Sequence, residues 1–194
     1  MPNLMHGAVE SSFAGERARN LWRIDPLQGK LYLLVVSPAK PDLQGLAQQF
    51  GVPGQSGETR DYSPLLGRIR AGSVWRFRLT ANPTKSCAGG DGTGRGAVHA
   101  HVSTRYQEQW LLRQAEKHGL CLAEDGFSVV KTKWYTFRKG GAENRVTLLS
   151  VTYEGVLQVT DPEAFCRALT QGIGRGKAYG MGMLTVVRAA QRCL

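Results

Sequence analysis

Cysteines are few and far apart in this sequence, and none of the four (Cys87, Cys121, Cys166 and Cys193) forms a Cys-x-x-Cys pair. This spacing argues against a zinc site and against a redox motif, and it favours free thiols in a reducing compartment. No apolar run approaches the length that crosses a bilayer, and no secretory signal is visible at the start. We therefore expect a cytoplasmic protein with no metal, no cofactor and no membrane partner.

Acidic residues are also scarce. The chain of 194 residues has 15 acidic and 25 basic side chains, so its net charge is +10 and its pI is about 9.8. The excess is concentrated: residues 60–85 hold six basic side chains and one acidic, and residues 131–145 hold five and one. Clusters of this kind favour a polyanionic partner such as nucleic acid. Composition alone leaves open a basic surface that serves only solubility.

The most informative segment is Gly-Ile-Gly-Arg-Gly-Lys-Ala-Tyr-Gly-Met-Gly, at residues 172–182. Five glycines leave its backbone N–H groups able to approach a phosphate closely: Gly172, Gly174, Gly176, Gly180 and Gly182. Arg175 and Lys177 add positive charge. A predicted helix precedes this segment and a predicted strand follows it, the reverse of the order in nucleotide-binding loops. The segment, called the glycine-rich loop below, therefore argues against a mononucleotide site.

Several motifs, taken in order, point to one family. The glycine-rich loop, continued by Met183-Leu184-Thr185-Val186, resembles the C-terminal signature of the CasE family, the repeat-processing endoribonucleases of type I-E Cascade in CRISPR systems. Residues 76–85 are similar to that family's Arg-Phe-Arg-Leu-x-Ala-Asn-Pro-x-Lys segment. Trp110-Leu111 and the stretch at 153–157 also match. Each motif alone is weak, but the ordered set covers nearly the whole chain.

The pattern of apolar residues predicts an α+β fold with two tandem ferredoxin-like domains of the RRM type, βαββαβ. The C-terminal half shows a helix at 105–117, strands at 127–138 and 145–159, a helix from Asp161 and a strand from Met183. Its first strand lies at either 74–79 or 98–102. The N-terminal half shows a helix at 4–14, strands at 20–25 and 30–37, a helix at 41–50 and a strand at 65–80. That order lacks the first strand, which relatives carry, so we expect an incomplete N-terminus.

These patterns divide the chain into three parts. We expect an N-terminal domain at 1–85, a flexible glycine-rich linker at 86–97, and a C-terminal domain at 98–194.

The resemblance implies which residues act in catalysis. His6, in the context Leu-Met-His-Gly-Ala-Val, corresponds to the family's catalytic histidine, and an imidazole can exchange a proton near neutral pH. RNA supplies its own nucleophile, the ribose 2′-OH, so no metal is needed. Where the family has a tyrosine three residues earlier, this chain has Asn3, which can form hydrogen bonds but cannot act as a base. Ser11 is a further candidate for orienting a phosphate, although a helix-surface serine is the commoner case.

The resemblance also implies a division of the RNA-binding surface. Residues 131–145, called the basic hairpin below, are similar to the family's stem-binding hairpin. Its basic side chains are Lys131, Lys133, Arg138, Lys139 and Arg145. The glycine-rich loop is expected to hold the backbone across the cleavage point, with Arg76 and Arg78 in the cleft and Arg95 reaching from the linker. We expect the hairpin aromatics Trp134, Tyr135 and Phe137 to be buried rather than to stack on bases.

The implied function is cleavage of CRISPR precursor RNA at the base of the repeat hairpin, leaving a 2′,3′-cyclic phosphate and a 5′-OH. The protein would stay bound to the 3′ hairpin of the crRNA beside other Cascade subunits. One alternative is an RNA-binding or assembly subunit whose catalysis is weak or lost. A third reading, an unrelated protein with two RRM-like domains, lacks the expected aromatic RNP motif. His99 and His101 share a strand face, but without a third ligand nearby they do not predict a metal site.

Overall fold

The structure is a computed structural model that describes residues 2–15, 18–87, 97–138 and 145–189. Its N-terminal half begins with helix α1 (Pro2–Ser11), followed by an antiparallel hairpin of β1 (Leu21–Leu27) and β2 (Lys30–Val36). Two short helices follow, α2 (Gln44–Phe50) and α3 (Ser63–Leu66). The predicted strand at 65–80 is wrong over its first part, because residues 63–66 are helical and the strand starts only at Val74.

The rest of the chain builds a five-stranded sheet with two helices. Its elements are β3 (Val74–Ala81), β4 (Thr84–Ser86), β5 (Val98–Ala100), α4 (Thr104–Lys117), β6 (Leu120–Cys121), β7 (Phe127–Arg138), β8 (Arg145–Val159), α5 (Pro162–Gln171) and β9 (Leu184–Arg188). The sheet order is β6-β8-β3-β9, and β7 also pairs with β8. Strands β4 and β5 form a separate pair. The order β3-α4-β7-β8-α5-β9 with neighbours β9-β3-β8-β7 is a ferredoxin-like βαββαβ arrangement.

Strand β3 belongs to the C-terminal sheet. It pairs antiparallel with β8 on one side and with β9 on the other. Of the two segments considered for the first strand, the structure therefore uses 74–81, and the segment at 98–100 pairs with β4 instead. A domain boundary at residue 85 would separate β3 from both of its partners, so we propose a boundary between α3 and β3. Of the predicted linker at 86–97, only residues 86, 87 and 97 are described.

The main core lies between the sheet and helices α4 and α5. Alternate residues of β3 are buried: Trp75, Phe77, Leu79 and Ala81. They pack with Trp110 of α4 and Phe165 of α5. The residues between them, Val74, Arg76, Arg78 and Thr80, lie on the opposite face, as the two-residue period of a strand requires. A smaller core joins α1 to the hairpin through Met5, Val9 and Trp22.

Local sequence rules explain where the C-terminal helices begin and end. The carboxylate of Asp161 accepts hydrogen bonds from the N–H groups of Glu163 and Ala164, and Pro162 occupies the first turn. Gly119, with φ of 67°, follows the end of α4, as expected for a glycine at this position. The predicted bounds of β7 and β8 are confirmed.

The irregularity in the pairing of β7 with β8 does not lie at Gly155 of β8. The register shift lies in the partner strand, between Val129 and Lys131. Gly155 instead allows a close approach, because a Cβ atom there would lie 2.3 Å from the carbonyl oxygen of Gly126 and 2.5 Å from Cα of Phe127. Steric contact between neighbouring strands therefore explains this glycine.

A buried arginine connects the N-terminal hairpin to the large sheet. The guanidinium of Arg23 donates to both carboxylate oxygens of Asp25, at 2.8 and 2.6 Å. It also donates to the carbonyl oxygens of Arg78 and Met183 and to the hydroxyl of Thr185. Arg23 is only 3% exposed. Because its hydrogen bonds extend from β1 to β3 and β9, this one side chain fixes the position of the hairpin against the sheet.

Within the described ranges, no helix is long and apolar enough to cross a membrane.

We predict that Arg23→Met lowers the free energy of unfolding by about 3 kcal/mol, since it leaves a mostly buried carboxylate and two carbonyl groups without their donor. Arg167→Met is the control, because Arg167 forms an exposed pair with Glu163 on α5 and its loss costs about 0.5 kcal/mol or less. Urea denaturation followed by tryptophan fluorescence measures both. Equal losses in the two variants would show that Arg23 does not hold the hairpin in place.

Candidate active site

Helix α1 places His6 beside the glycine-rich loop. Met5, Ala8 and Val9 are buried, at the spacing of one helical face that packs on the hairpin. His6 lies at the margin of that face and is half-buried. Its ring meets the ring of Tyr179, with centroids 6.3 Å apart and planes at 60°. Position 6 therefore faces the glycine-rich loop.

Tyr179 links the histidine to the basic hairpin. Its ring lies 4.9 Å from that of Phe137, near the end of β7. The Nδ1 atom of His6 is buried and has no hydrogen-bond partner among the described residues. Buried nitrogens almost always have a partner, so this one is consistent with a group that functions during a reaction. Helix α1 and strand β7 thus both contact Tyr179 of the glycine-rich loop.

Asn3 ties the start of α1 to the hairpin. Its side-chain amide donates to the carbonyl oxygen of Arg138 at 2.8 Å. Asn3 and His6 are three residues apart on a helix and so are neighbours on its surface. Ser11 is not brought into this group: it lies about 140° around the helix from His6, and its hydroxyl donates to the carbonyl oxygen of Ala8.

The glycines of the loop divide into two groups. All five have positive φ, but Gly172, Gly180 and Gly182 are buried, and their N–H groups donate to carbonyl oxygens of the protein, those of Ala168, Lys177 and Thr80. Their expected contact with RNA through these N–H groups is not available in this geometry. Gly174 and Gly176 are half-buried instead, and they remain candidates for close approach to a phosphate.

Packing explains why the buried glycines are glycines. A Cβ atom on Gly180 would lie 2.7 Å from the ring of Trp22, and one on Gly172 would lie 2.8 Å from the side chain of Leu21. On its other side, a Cβ atom on Gly174 would lie 3.0 Å from the ring of Trp110. The loop therefore passes between a tryptophan of the N-terminal hairpin and one of helix α4, and its shape is set by both halves.

The two charged side chains of the loop differ in exposure. Arg175 is exposed, and its backbone pairs with that of Asn82. Lys177 is half-buried. Burial, and to a smaller extent the positive charge of Arg19, lowers the pKa of Lys177. The pKa of His118 is also lowered, mainly by burial and to a smaller extent by the positive charge of Lys177. These basic groups share one positive field, which is suited to an anionic ligand.

Strand β7 carries both basic and aromatic side chains. From Lys131 onward, the strand period places Lys131, Lys133, Tyr135 and Phe137 on one face and Trp134 and Arg138 on the other. The first face leads to the active site, since Phe137 contacts Tyr179. The ammonium of Lys133 lies 5.0 Å from the centre of the Tyr135 ring. The expectation that Trp134 is buried is wrong, because it is 48% exposed.

The remaining residues that we predicted to contact RNA differ in exposure and in their ion pairs. Arg76 is exposed on the outer face of the sheet. Arg78 is engaged by two carboxylates, 2.7 Å from Glu154 and 3.7 Å from Asp25. Arg145 is exposed and pairs with Arg138 across the hairpin. The predicted contacts of Arg95 and Lys139 lie outside the described residues.

Sequence reasoning missed Tyr179, Trp22 and Arg23. Tyr179 lies inside the glycine-rich loop, and an aromatic side chain between glycines was the available signal. Trp22 and Arg23 gave no local signal, because their roles depend on contacts with residues far away in the chain. Among the residues that the structure describes, no group of three or more His, Cys, Asp or Glu side chains could hold a metal ion.

Comparisons with known proteins show which family this chain resembles. A family model described as "CRISPR associated protein" matches residues 1–188. The CRISPR-associated endoribonuclease Cse3 of Thermus thermophilus is 32% identical over 205 residues, which cover 96% of this chain and 88% of that protein. A structure of Cse3 bound to a 19-nucleotide RNA matches with a TM-score of 0.80 at 29% identity, covering 96% of this chain and 90% of that one.

Two further structures extend the comparison. A chain of a CRISPR RNA-guided surveillance complex in a pre-nicking state matches with a TM-score of 0.67 at 26% identity, covering 97% of this chain and 90% of that one. Cas6e from Escherichia coli K-12 matches with a TM-score of 0.60 over 97% of this chain and 92% of that one; at 19% identity it supports the fold alone.

The comparisons and the fold together define an RNA endoribonuclease built from two tandem ferredoxin-like halves. The chain belongs to the CRISPR-associated protein family, and within it to the CasE endoribonucleases of type I-E Cascade. The predicted family, enzyme class and fold class are therefore confirmed.

We predict that Gly180→Ala lowers the free energy of unfolding by about 3 kcal/mol, because the new methyl group meets the ring of Trp22 in addition to the backbone strain. Gly54→Ala is a matched control: its φ is 79° against 78° for Gly180, but nothing lies within 4 Å of its Cβ position. It pays only the conformational cost of about 1 kcal/mol. Chemical denaturation measures both, and similar losses would contradict the packing explanation.

Proposed function

We propose that the protein cleaves CRISPR precursor RNA at the base of the repeat hairpin without a metal ion, and then keeps the hairpin of its product bound. The observation that carries this proposal is that Tyr179 of the glycine-rich loop contacts both His6 of α1 and Phe137 of the basic hairpin. A general acid, a backbone-binding loop and a stem-binding strand are thereby held at one point between the two halves.

The chemistry needs only groups that the RNA and the protein supply. The 2′-oxygen of the ribose attacks the adjacent phosphorus and gives up its proton to solvent water, and the bond from phosphorus to the 5′-oxygen of the next nucleotide breaks. The products are a 2′,3′-cyclic phosphate and a 5′-hydroxyl. The departing 5′-oxygen needs a proton, and the imidazolium of His6 donates it. Positive charge from Arg175 and Lys177 stabilises the charge that develops on the phosphate.

Two neighbours orient this imidazole rather than react. Tyr179 limits the rotation of the His6 ring through an edge contact. Asn3 fixes the first turn of α1 to the end of β7 through its hydrogen bond to Arg138. Asn3 thus contributes to position and not to proton removal, because an amide is not a base at neutral pH.

The basic face of β7 provides the stem-binding surface. Lys131 and Lys133 lie on one face of a strand that ends at the active site. An RNA stem held there by its phosphates would therefore have its lower end next to His6. The deep, narrow major groove of an RNA helix excludes most side chains, so contacts to phosphates and shape dominate such recognition. Binding of RNA by Cse3 and the presence of a similar chain in a surveillance complex support RNA retention within Cascade.

We predict that His6→Ala slows cleavage of a repeat hairpin by roughly 10²- to 10⁴-fold, the usual contribution of a general acid, with its dissociation constant unchanged. His99→Ala is the control, since this exposed histidine lies on β5 and has no part in the proposed mechanism. Single-turnover cleavage of end-labelled RNA in excess EDTA measures the rate, and the 3′ end of the product is tested for a cyclic phosphate. Cutting by His6→Ala at the wild-type rate, or a requirement for a divalent ion, would refute the mechanism.

We predict that Tyr179→Ala slows cleavage roughly tenfold to a hundredfold through misplacement of the imidazole, with no change in RNA affinity. Tyr179→Phe keeps the ring and should retain nearly the wild-type rate. The test compares single-turnover rates at saturating RNA with dissociation constants from filter binding. An equally slow Tyr179→Phe variant would assign the role to the hydroxyl, and a parallel loss of affinity would show an RNA contact instead.

We predict that Lys131→Gln with Lys133→Gln weakens hairpin binding uniformly across loop sequences and lowers the slope of log affinity against log salt by about 2. Lys30→Gln with Lys40→Gln removes the same charge from the exposed N-terminal region and should leave the slope nearly unchanged. Filter binding over a range of salt concentrations measures both. An equal change in the two double variants would indicate a general charge effect rather than a stem-binding strand.

A further inference from the structure

A cavity lies at the end of the sheet that is farthest from the active site. It has a volume of about 760 Å³ and is formed by the loop before β3, the start of β3 and the end of β9. Strand β3 runs from Val74 at this cavity to Ala81, next to the glycine-rich loop. Seven residue steps of an extended strand span roughly 20–25 Å. The cavity is therefore separate from His6 and from the basic hairpin.

Three arginines line this cavity: Arg68, Arg70 and Arg188. All three are exposed, and among the described residues none of them forms an ion pair with a carboxylate. Arginines elsewhere in the described chain do have acidic partners, for example Arg23 with Asp25. No described acidic side chain lines the cavity. The planar guanidinium group matches carboxylates and phosphates in pairs of hydrogen bonds.

Hydrogen bonds hold the loop that carries these arginines in one shape. The hydroxyl of Ser73 accepts from the N–H of Arg70 and from the indole N–H of Trp75, and it donates to the carbonyl oxygen of Arg70. Gly72 donates to the carbonyl oxygen of Val159, whose own N–H donates to that of Ser73. The loop is thereby fixed to the end of β8, so the cavity is formed before any ligand arrives.

The surface next to the cavity is apolar. Val74 lines the cavity and is 43% exposed. On the same outer face of the sheet, Val156 and Val187 lie directly opposite Arg76 on its two neighbouring strands, and they are 41% and 63% exposed. Arginine next to exposed apolar side chains is a composition typical of protein interfaces.

A path for RNA along this face is interrupted by a cluster of paired charges. Between the three valines and the glycine-rich loop, Arg78 is held by the carboxylates of Glu154 and Asp25, and Asp25 is also paired with the buried Arg23. A polyphosphate that continued from the active site to the cavity would therefore meet arginines that already have acidic partners. The positive charge of the cavity is therefore not an extension of the RNA-binding surface, and a protein ligand fits it better than RNA does.

We propose that this cavity is a docking site for a partner-protein segment that presents two or more carboxylates beside apolar side chains. The carboxylates would pair with Arg68, Arg70 and Arg188, while the apolar side chains cover Val74 and Val187. This inference goes beyond the proposed cleavage activity and does not depend on it. It leaves the active site accessible, so partner and RNA would bind together.

The test uses the full chain saturated with repeat hairpin RNA, so that the RNA-binding surface is covered. The probe is a fluorescein-labelled peptide of alternating glutamate and valine, and its lysine-valine counterpart is the negative control. Fluorescence anisotropy gives the affinity. Nitrogen-15 spectra follow the indole N–H of Trp75, which borders the cavity and is bonded to Ser73. We expect its signal to move only with the acidic peptide.

Two triple variants locate the binding. Replacement of Arg68, Arg70 and Arg188 by glutamine should weaken peptide binding roughly tenfold or more, since hydrogen bonds between charged groups are the strong ones. Replacement of the exposed Arg105, Arg113 and Arg167 removes the same charge and should change the affinity less than about twofold. Cleavage of the repeat RNA should be unaffected in the cavity variant, so failure of this test is separate from failure of the proposed function.

Three results would overturn the proposal. The first is an unmoved Trp75 signal in the wild-type protein, a readout that does not require any variant to fold. The second is an equal loss of affinity in the two triple variants. The third is displacement of the peptide, with movement of the Trp75 signal, by a short single-stranded RNA or by inorganic phosphate alone, which would assign the cavity to a polynucleotide or to a simple anion.

Discussion

The position of Arg23 determines the geometry of the active site. Its guanidinium group connects the N-terminal hairpin to two strands of the large sheet while buried from solvent. Trp22, the neighbouring residue on β1, packs against Gly180 of the glycine-rich loop and against α1. Strand β1 therefore positions both the glycine-rich loop and helix α1, which carries His6. A buried charge with all of its hydrogen bonds made has one favourable geometry, which suits a site that must be held with little freedom.

Much of the C-terminal half could be predicted because its signals are local. The cap at Asp161, the glycine after α4 and the alternation along β7 each depend on a few adjacent residues. The pairing of β3 could not be predicted in this way, since an isolated strand carries no information about which sheet it will join. Contacts between residues at least 70 positions apart in the chain determine that choice.

The candidate site shows the same division. His6 and the glycine-rich loop were recognisable from sequence, by resemblance and by composition. The roles of individual glycines were not, because the same residue type serves close approach to a ligand and close packing of the protein. Gly180 and Gly174 each lie against a tryptophan, that of the hairpin at Gly180 and that of α4 at Gly174, yet only Gly180 is buried. Arg78 likewise looked free in sequence, and its two acidic partners come from other strands.

The hydrogen bond from Asn3 to Arg138 has a consequence for accuracy. It joins the helix that carries His6, the proposed general acid, to the strand that we propose binds the stem, so a displacement of one is passed in part to the other. A transcript whose stem is too short, frayed or out of register would draw the end of β7 away from its resting place, and the first turn of α1 would follow. The imidazole would then not be aligned with the phosphate of the incorrect transcript. Discrimination between correct and incorrect transcripts would thus arise at the cutting step itself, without a separate proofreading element.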